Sequence, residues 1–220
     1  MNKTDKLVRD HHNPKDSTLH NKLSELANNS AEFQQMRYGF FHDAAKFLIM
    51  GAEPLTHDRE GLLESPERVA KAWMHWTKGY EQNAADLLKV FEDGATGYDE
   101  MVIVKDIPLY SHCEHHLAPV FGTATVAYIP NERIVGLSKL SRLVDMHARR
   151  LQVQERLTCN IADDLQNHLE PKGVGVLIKA RHMCMESRGI CQQGHHTVTS
   201  ALRGVIKEEA SARAEFLDLA

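Results

Sequence analysis

The 220-residue chain is poor in the features that mark membrane and secreted proteins. No apolar run approaches the ~20 residues that a membrane-spanning helix needs. The opening residues, MNKTDKLVRDHHN, are too polar for a secretory signal. We therefore expect a cytoplasmic protein that does not span a membrane, in which four cysteines do not form a disulfide framework. With 42% hydrophobic and 25% charged residues, the chain has the composition of a globular protein.

The chain also lacks the excess of basic residues that a general nucleic-acid binder carries, since its net charge is −4. Histidine, in contrast, is abundant, with 14 residues. Imidazole binds metals and transfers protons near neutral pH, so the positions of these histidines bear on function.

Patterning divides the chain into three parts. Residues 1–16 are polar and without periodicity, and we expect a disordered leader. Residues 17–60 carry apolar residues at helical spacing, which predicts an N-terminal helical extension. Residues 61–220 form the main domain. It opens with a helix at Ser65-Pro66, whose predicted buried stripe is Val69, Trp73, Trp76 and Tyr80.

The main domain alternates between strand-like and helix-like patterns. Two β-branched segments are followed by two amphipathic segments and two further strands: 101–107, 120–129, 138–150, 153–169, 174–183 and 197–207. This ββααββ order predicts an α+β fold with a four-stranded antiparallel sheet. Because such a sheet has two open edges, we expect copies of the chain to cover them in an oligomer.

The densest chemistry is the run Cys113-Glu114-His115-His116, in the predicted connection between the first two strands. Cys113 and His116 have the C-x-x-H spacing of a two-ligand zinc unit. On the predicted strand that begins at residue 174, side chains alternate between the two faces, so His182 and Cys184 share the buried face. Cys184 is then either a third metal ligand beside the imidazole of His182 or a structural thiol.

Three protein ligands and one water are the pattern of a catalytic zinc site. Such a zinc ion would make hydroxide available at neutral pH, and His115 and His182 would remain for proton transfer. The other two cysteines have no assigned role: Cys159 is expected in the core and Cys191 is taken as incidental.

Several motifs in order resemble the GTP cyclohydrolase I family, from about residue 62 to the end of the chain. They are CEHH at 113–116, GLSK at 136–139, QVQERLT at 152–158, HMCM at 182–185, and Arg188-Gly189. The resemblance implies the tunnelling fold, whose sheets join into barrels. It also implies a homodecamer of two pentamers with active sites between subunits.

The resemblance implies a zinc-dependent hydrolase that opens the imidazole ring of GTP and releases formate. The product would be 7,8-dihydroneopterin triphosphate, in the first step of tetrahydrofolate and pterin biosynthesis. By position, Cys113, His116 and Cys184 match the zinc ligands, and His115 and His182 match the proton-transfer residues.

By the same resemblance, Glu155 matches the carboxylate that accepts hydrogen bonds from guanine, and Gln154 beside it is expected to be a second substrate-binding residue. The positions that match triphosphate contacts are Ser138, Lys139, Arg142, Arg188, Arg68 and Lys71. Without the resemblance, Arg68 and Lys71 would be interpreted as a solvated helix face, because they lie three residues apart on the side opposite the apolar stripe.

Two segments depart from the family pattern. Glu186 places an acidic group near the expected phosphate region, where it either points to solvent or weakens triphosphate binding. Residues 191–196, CQQGHH, also differ, and His195 and His196 are expected to be loop residues.

Two alternative functions stay open at this point. A non-hydrolytic relative, such as a pterin synthase or a nitrile reductase, would keep the purine-binding glutamate without this ligand set and triphosphate clamp. A non-enzymatic zinc-stabilised protein would have four ligands and no open position.

Overall fold

The computed structural model describes residues 30–92 and 97–220. The predicted leader, 1–16, and the first part of the predicted extension lie outside the described residues. The chain divides into two compact units, one ending at His75 and the other running from Trp76 to Ala220. Among the described residues, no helix is both long and apolar enough to cross a membrane.

The described part of the first unit is helical. Helix α1 spans Ser30–Ala52, α2 spans Glu60–Leu63, and α3 begins at Ser65, as predicted, and ends at Trp76. The rings of Phe41 and Trp73 stack with centroids 5.8 Å apart, which ties α1 to α3.

The predicted stripe of α3 is wrong at Tyr80. The helix ends at Trp76, and Tyr80 lies in a 3-10 turn, Lys78–Glu81, where it is 57% exposed. The chain changes direction after Trp76 because Gly79 packs closely against the backbone of Met146 and Arg149. The amide of Gly79 donates to the carbonyl oxygen of Arg149 at 3.0 Å, and a Cβ at this position would lie 2.0 Å from the carbonyl oxygen of Met146.

The second unit contains the sheet and the helices that cover it. In chain order its elements are α4 Ala84–Leu87, β1 Val90–Phe91, β2 Val102–Cys113, β3 Pro119–Ile129, β4 Ile134–Val135, α5 Leu137–Ala148, β5 Leu151–Gln152, α6 Gln154–Leu169, β6 Gly173–His182, α7 Met183–Glu186, β7 Thr197–Arg203, α8 Gly204–Glu208 and α9 Ala210–Leu219. The order ββααββ therefore holds for the four long strands and the two long helices, and the fold is α+β as predicted.

The sheet has five strands rather than four, in the order β5-β2-β3-β6-β7. All neighbours are antiparallel except β5, which pairs in parallel with the last two residues of β2. A separate two-stranded ribbon joins β1 to β4. Two-residue strands such as these carry too little alternation to be predicted from sequence.

Strand β2 continues six residues beyond its predicted end, through Pro108. Proline is tolerated because β5 pairs only with His112 and Cys113, so the position without an N–H lies on an open edge. A bulge between Val104 and Ile107, with Asp106 at φ 54°, shifts the register before that point.

One face of the sheet carries α5 and α6. Helix α5 packs on β2, and α6 packs on β6 and β7. The fully buried side chains of these elements include Leu140, Leu143, Leu157, Ile161, Leu165, Val174, Val176 and Ile178. On a smaller scale, Ala127, Ile206 and Phe216 form a second buried cluster. The aromatic ring of Phe216 lies against Gly175, where a Cβ would come within 2.9 Å of it.

Strand β7 ends at Arg203 rather than at 207. Gly204 takes φ 52°, a left-handed conformation that suits glycine, and α8 follows directly. The predicted helix near 212–219 is present as α9.

Candidate metal centre and active site

Cys113 is the last residue of β2, and a tight turn returns the chain to it. The amide of Cys113 donates to the carbonyl of Ala118 at 2.9 Å, and the amide of Leu117 donates to the carbonyl of Cys113 at 2.8 Å. Leu117 takes φ 54° to close this turn. The turn brings Nδ1 of His116 to 3.7 Å from Sγ of Cys113.

Strand register brings Cys184 to the same end of the sheet. His112 pairs with Pro119 on β3, and the adjacent Val120 pairs with His182 on β6. Strand β6 ends at His182, and Cys184 lies in the short helix α7 that follows. The interpretation of Cys184 as a strand residue is therefore wrong, although its proximity to His182 and to the end of β2 holds.

The donor atoms of Cys113, His116 and Cys184 lie within 4.8 Å of one another. At Zn–S and Zn–N bond lengths of about 2.3 and 2.0 Å, tetrahedral geometry separates a sulfur and a nitrogen ligand by about 3.5 Å. The observed separation of 3.7 Å between Cys113 and His116 is close to that value. Two sulfurs and one imidazole nitrogen are donors that zinc prefers, so the three residues could hold this ion.

The Cys184 thiol disfavours ionisation without a cation. Burial, and then the neighbouring Cys113 side chain, raises the pKa of the Cys184 thiol. Both cysteines are buried, whereas His116 is exposed. A divalent cation would stabilise both thiolates, and the exposed side of His116 leaves the centre accessible.

The remaining cysteines lie outside this group. Cys159 and Cys191 are both exposed, and neither belongs to the metal-binding group found in the part of the chain that the structure describes. The core position predicted for Cys159 is wrong because it lies two residues, more than half a helical turn, from the buried Leu157 and Ile161.

His115 lies beside the candidate ligands. Its Nδ1 is 4.0 Å from Sγ of Cys113, and its Nε2 is 3.8 Å from the carboxylate of Glu114. Glu114 in turn forms an ion pair with Arg156 on α6, which lowers the pKa of Glu114. Sequence reasoning did not assign Glu114 or Arg156, and the only sequence signal was that both lie inside the quoted motifs.

His182 is half-buried at the end of β6. Its Nε2 lies 2.8 Å from the side-chain oxygen of Gln154, the first residue of α6. Burial lowers the pKa of His182, and the nearby charge of Glu155 opposes that effect. Gln154 is 4% exposed, whereas Glu155 is exposed. The structure thus brings together His182, Gln154 and Glu155.

Glu186 neither points to solvent nor carries an uncompensated charge. It is 5% exposed, and Nε of Arg181 donates to its carboxylate at 2.9 Å. The guanidinium of Arg181 also lies over the ring of Phe121, 5.2 Å from its centroid, and it lowers the pKa of Glu186. The charge of Glu186 is therefore balanced locally.

The predicted triphosphate residues occupy three different elements. Ser138, Lys139 and Arg142 lie in the first two turns of α5, and Arg188 follows α7. The charge of Arg188 acts on the Cys184 thiol, which places this arginine near the candidate ligands.

Arg68 and Lys71 belong to the first unit, on α3. Their side chains form ion pairs with Glu64 and Glu67, one helical turn earlier. Their predicted role toward a triphosphate stays a prediction.

Known proteins match the part of the chain that contains these residues. The family model of GTP cyclohydrolase I matches residues 43–220. A GTP cyclohydrolase 1 of Janthinobacterium sp. (strain Marseille) is 63% identical over 171 residues, covering 76% of this chain and 86% of that protein. A GTP cyclohydrolase 1 of Nitrosospira multiformis is 59% identical, covering 78% of this chain and 88% of that protein. A crystal structure of the archaeosine synthase QueF-Like in the apo form has a TM-score of 0.40 and 19% identity, and covers 47% of this chain and 93% of that one.

Proposed function

The chain belongs to the GTP cyclohydrolase I family, and we propose that it converts GTP and water to 7,8-dihydroneopterin triphosphate and formate. The observation that carries this proposal is the Cys113–His116–Cys184 group, with His115 beside it and His182 two residues before Cys184 in the sequence. This reaction is the first step of tetrahydrofolate and pterin biosynthesis.

We propose Zn²⁺ as the cofactor, held by Cys113, His116 and Cys184. The support is the donor set, its spacing and the exposed side of the group. A zinc ion bound there would supply a Lewis acid and hydroxide at neutral pH for hydrolysis at C8 of the purine. Three protein donors, without Cys191, favour this catalytic arrangement over the closed four-ligand site of a zinc-stabilised binding protein.

The chain's own residues then have separate tasks. The ring nitrogens of His115 and His182 hold and release protons as the purine ring opens and formate leaves. The Glu155 carboxylate accepts two hydrogen bonds from guanine, a pair of donors that adenine does not present. This readout accounts for selection of GTP over ATP.

Charge compensation accounts for binding of the other end of the substrate. A triphosphate carries several negative charges, and cationic side chains balance them. We assign triphosphate binding to Ser138, Lys139, Arg142 and Arg188, together with Arg68 and Lys71. Because Arg181 balances Glu186, the acidic residue at that position does not oppose the substrate.

We further propose a homo-oligomer, a decamer of two pentamers with active sites shared between subunits. The open edges of the sheet at β7 and along most of β2 support an assembly in which strands of neighbouring copies pair. The thiolate ligands need a reducing compartment, so we assign the enzyme to the cytoplasm.

The test is incubation of the zinc-loaded protein with GTP, following formate release and the fluorescence of the oxidised pterin product. ATP serves as the matched control substrate, and Glu155→Ala as the matched variant. We expect GTP to yield formate and pterin in equal amounts, and ATP to yield neither. Pterin-free GTP hydrolysis, or turnover of GTP by Glu155→Ala at the unmodified rate, would contradict the proposal.

A further inference from the structure

The side-chain amide of Gln154 is buried and fully engaged, although the residue stands next to the proposed guanine-binding Glu155. We propose that Gln154 is a positioning residue that fixes His182 in the tautomer with its proton on Nε2. The consequence for catalysis rests on the function proposed above, whereas the tautomer itself does not.

Two main-chain carbonyls identify the ends of the amide. One end of the Gln154 side chain lies 3.1 Å from the carbonyl oxygen of Ile178 and 3.0 Å from that of Thr197. Carbonyl oxygens only accept hydrogen bonds, so this end must be the amide nitrogen. The hydroxyl of Thr199, 3.1 Å away, is a third acceptor on the same side.

The other end of the amide is therefore its oxygen, and it faces His182. This oxygen lies 2.8 Å from Nε2 of the imidazole. Because an amide oxygen cannot donate, Nε2 must carry the hydrogen. In the neutral ring, Nδ1 is then the nitrogen that keeps a free lone pair.

The side-chain amide of Gln154 cannot flip by 180° without breaking several hydrogen bonds. A flipped amide would place its oxygen against the carbonyls of Ile178 and Thr197, which belong to two neighbouring strands. The backbone of Gln154 is also held, since the hydroxyl of Thr158 donates to its carbonyl at 2.6 Å. One helix start and two strands thus fix the orientation of a single imidazole.

This geometry distinguishes positioning from substrate binding. Both ends of the Gln154 amide already have protein partners, so a substrate contact would have to displace one of them. Glu155, the next residue, is exposed and keeps its carboxylate available. We therefore assign guanine recognition to Glu155 and orientation of His182 to Gln154.

Steady-state kinetics of Gln154→Met test the assignment. Methionine has a similar length but neither donates to the strands nor accepts from His182. We expect kcat for GTP to fall at least about tenfold, with KM within about twofold of the unmodified enzyme and zinc content unchanged. Gln166→Met, on the same helix, is the matched control and should leave both constants unchanged. A large rise in KM with kcat unchanged would make Gln154 a substrate ligand and overturn the proposal.

A second measurement does not depend on activity or on a substitution of Gln154. Nitrogen NMR of the zinc-loaded protein, with ¹⁵N-labelled histidine rings, reports which nitrogen is protonated, and His182→Asn identifies the signal of His182. We expect the Nε2-protonated form at a pH where the ring is neutral. An Nδ1-protonated ring would overturn the proposal even if GTP is turned over, and an Nε2-protonated ring without GTP turnover would refute only the proposed function.

Discussion

Zinc should stabilise this protein as a native-state ligand, and Cys184→Ser should remove that stabilisation. Cys184 supplies one of three donors that lie within 4.8 Å of one another. Serine is almost the same size, but its hydroxyl is a poor ligand for zinc compared with a thiolate. The unfolded chain separates Cys184 from Cys113 by 70 residues of sequence, so it cannot offer the same three donors together.

The size of the effect follows from mass action. At a free zinc concentration of about 100 times Kd, preferential binding to the native state adds about 2.7 kcal/mol to the free energy of unfolding. For a chain of this length, that corresponds to roughly 5–10 °C in Tm. The substitution itself creates only a small change in volume, which should cost the zinc-free protein about 1 kcal/mol. The zinc-dependent and zinc-independent effects are therefore separable.

The assay is thermal unfolding of chelator-treated protein across a zinc titration. Cys191→Ser is the matched control, because Cys191 is exposed and lies outside the donor group. The unmodified protein and Cys191→Ser should both show a rising Tm, and Cys184→Ser should show a flat response. A zinc-dependent rise in Cys184→Ser equal to that of the unmodified protein would remove Cys184 from the metal centre.

Three further predictions concern pH, packing and substrate binding. His147 is buried beside Asp164 with its Nδ1 unpartnered, and burial lowers the pKa of its imidazole. As pH drops, the imidazole therefore binds a proton in the unfolded chain before it does so in the folded protein, and the free energy of unfolding should fall below about pH 6.5. His147→Gln should flatten that part of the pH profile measured by urea denaturation. Gly122→Ala should cost about 3 kcal/mol of stability in the same assay, because its Cβ would lie 2.0 Å from the carbonyl oxygen of Lys179. Arg188→Ala should raise KM for GTP about tenfold or more through loss of a charge-assisted hydrogen bond, and an unchanged KM would contradict a triphosphate contact.

The sequence predicts the long elements of the fold well because their periodicity is strong. The four long strands and two long helices all occur, and α6 ends at its predicted residue, Leu169. The errors lie where local pattern competes with tertiary context. Pro108 marked a strand end but sits on an open edge, where its missing N–H does no harm. Strand β5 has only two residues and depends on its pairing with β2.

The candidate ligands were identifiable from residue type and spacing, but their surroundings were not. Cys113 and His116 are three residues apart, so one turn suffices to bring them together. Two ion pairs near the centre join Arg181 to Glu186 and Glu114 to Arg156. Whether these side chains meet depends on how β6 leads into α7 and on how α6 packs. No local pattern encodes these contacts. Gln154 shows the same limit, since its partners lie 24 to 45 residues away.

Strand register links the stability of the sheet to the geometry of the metal centre. Gly122 on β3 pairs with Leu109 on β2 and with Ala180 on β6. These two partners lie four residues before Cys113, at the end of β2, and Cys184, in the short helix after β6. A side chain at Gly122 would press on the backbone of β6 and displace the strand that carries His182 and leads into Cys184. The distance between Cys113 and Cys184 depends on the same three strands, so the sheet contributes to the separation of the two thiols. Zinc affinity should therefore fall in Gly122→Ala together with stability, although no ligand is changed.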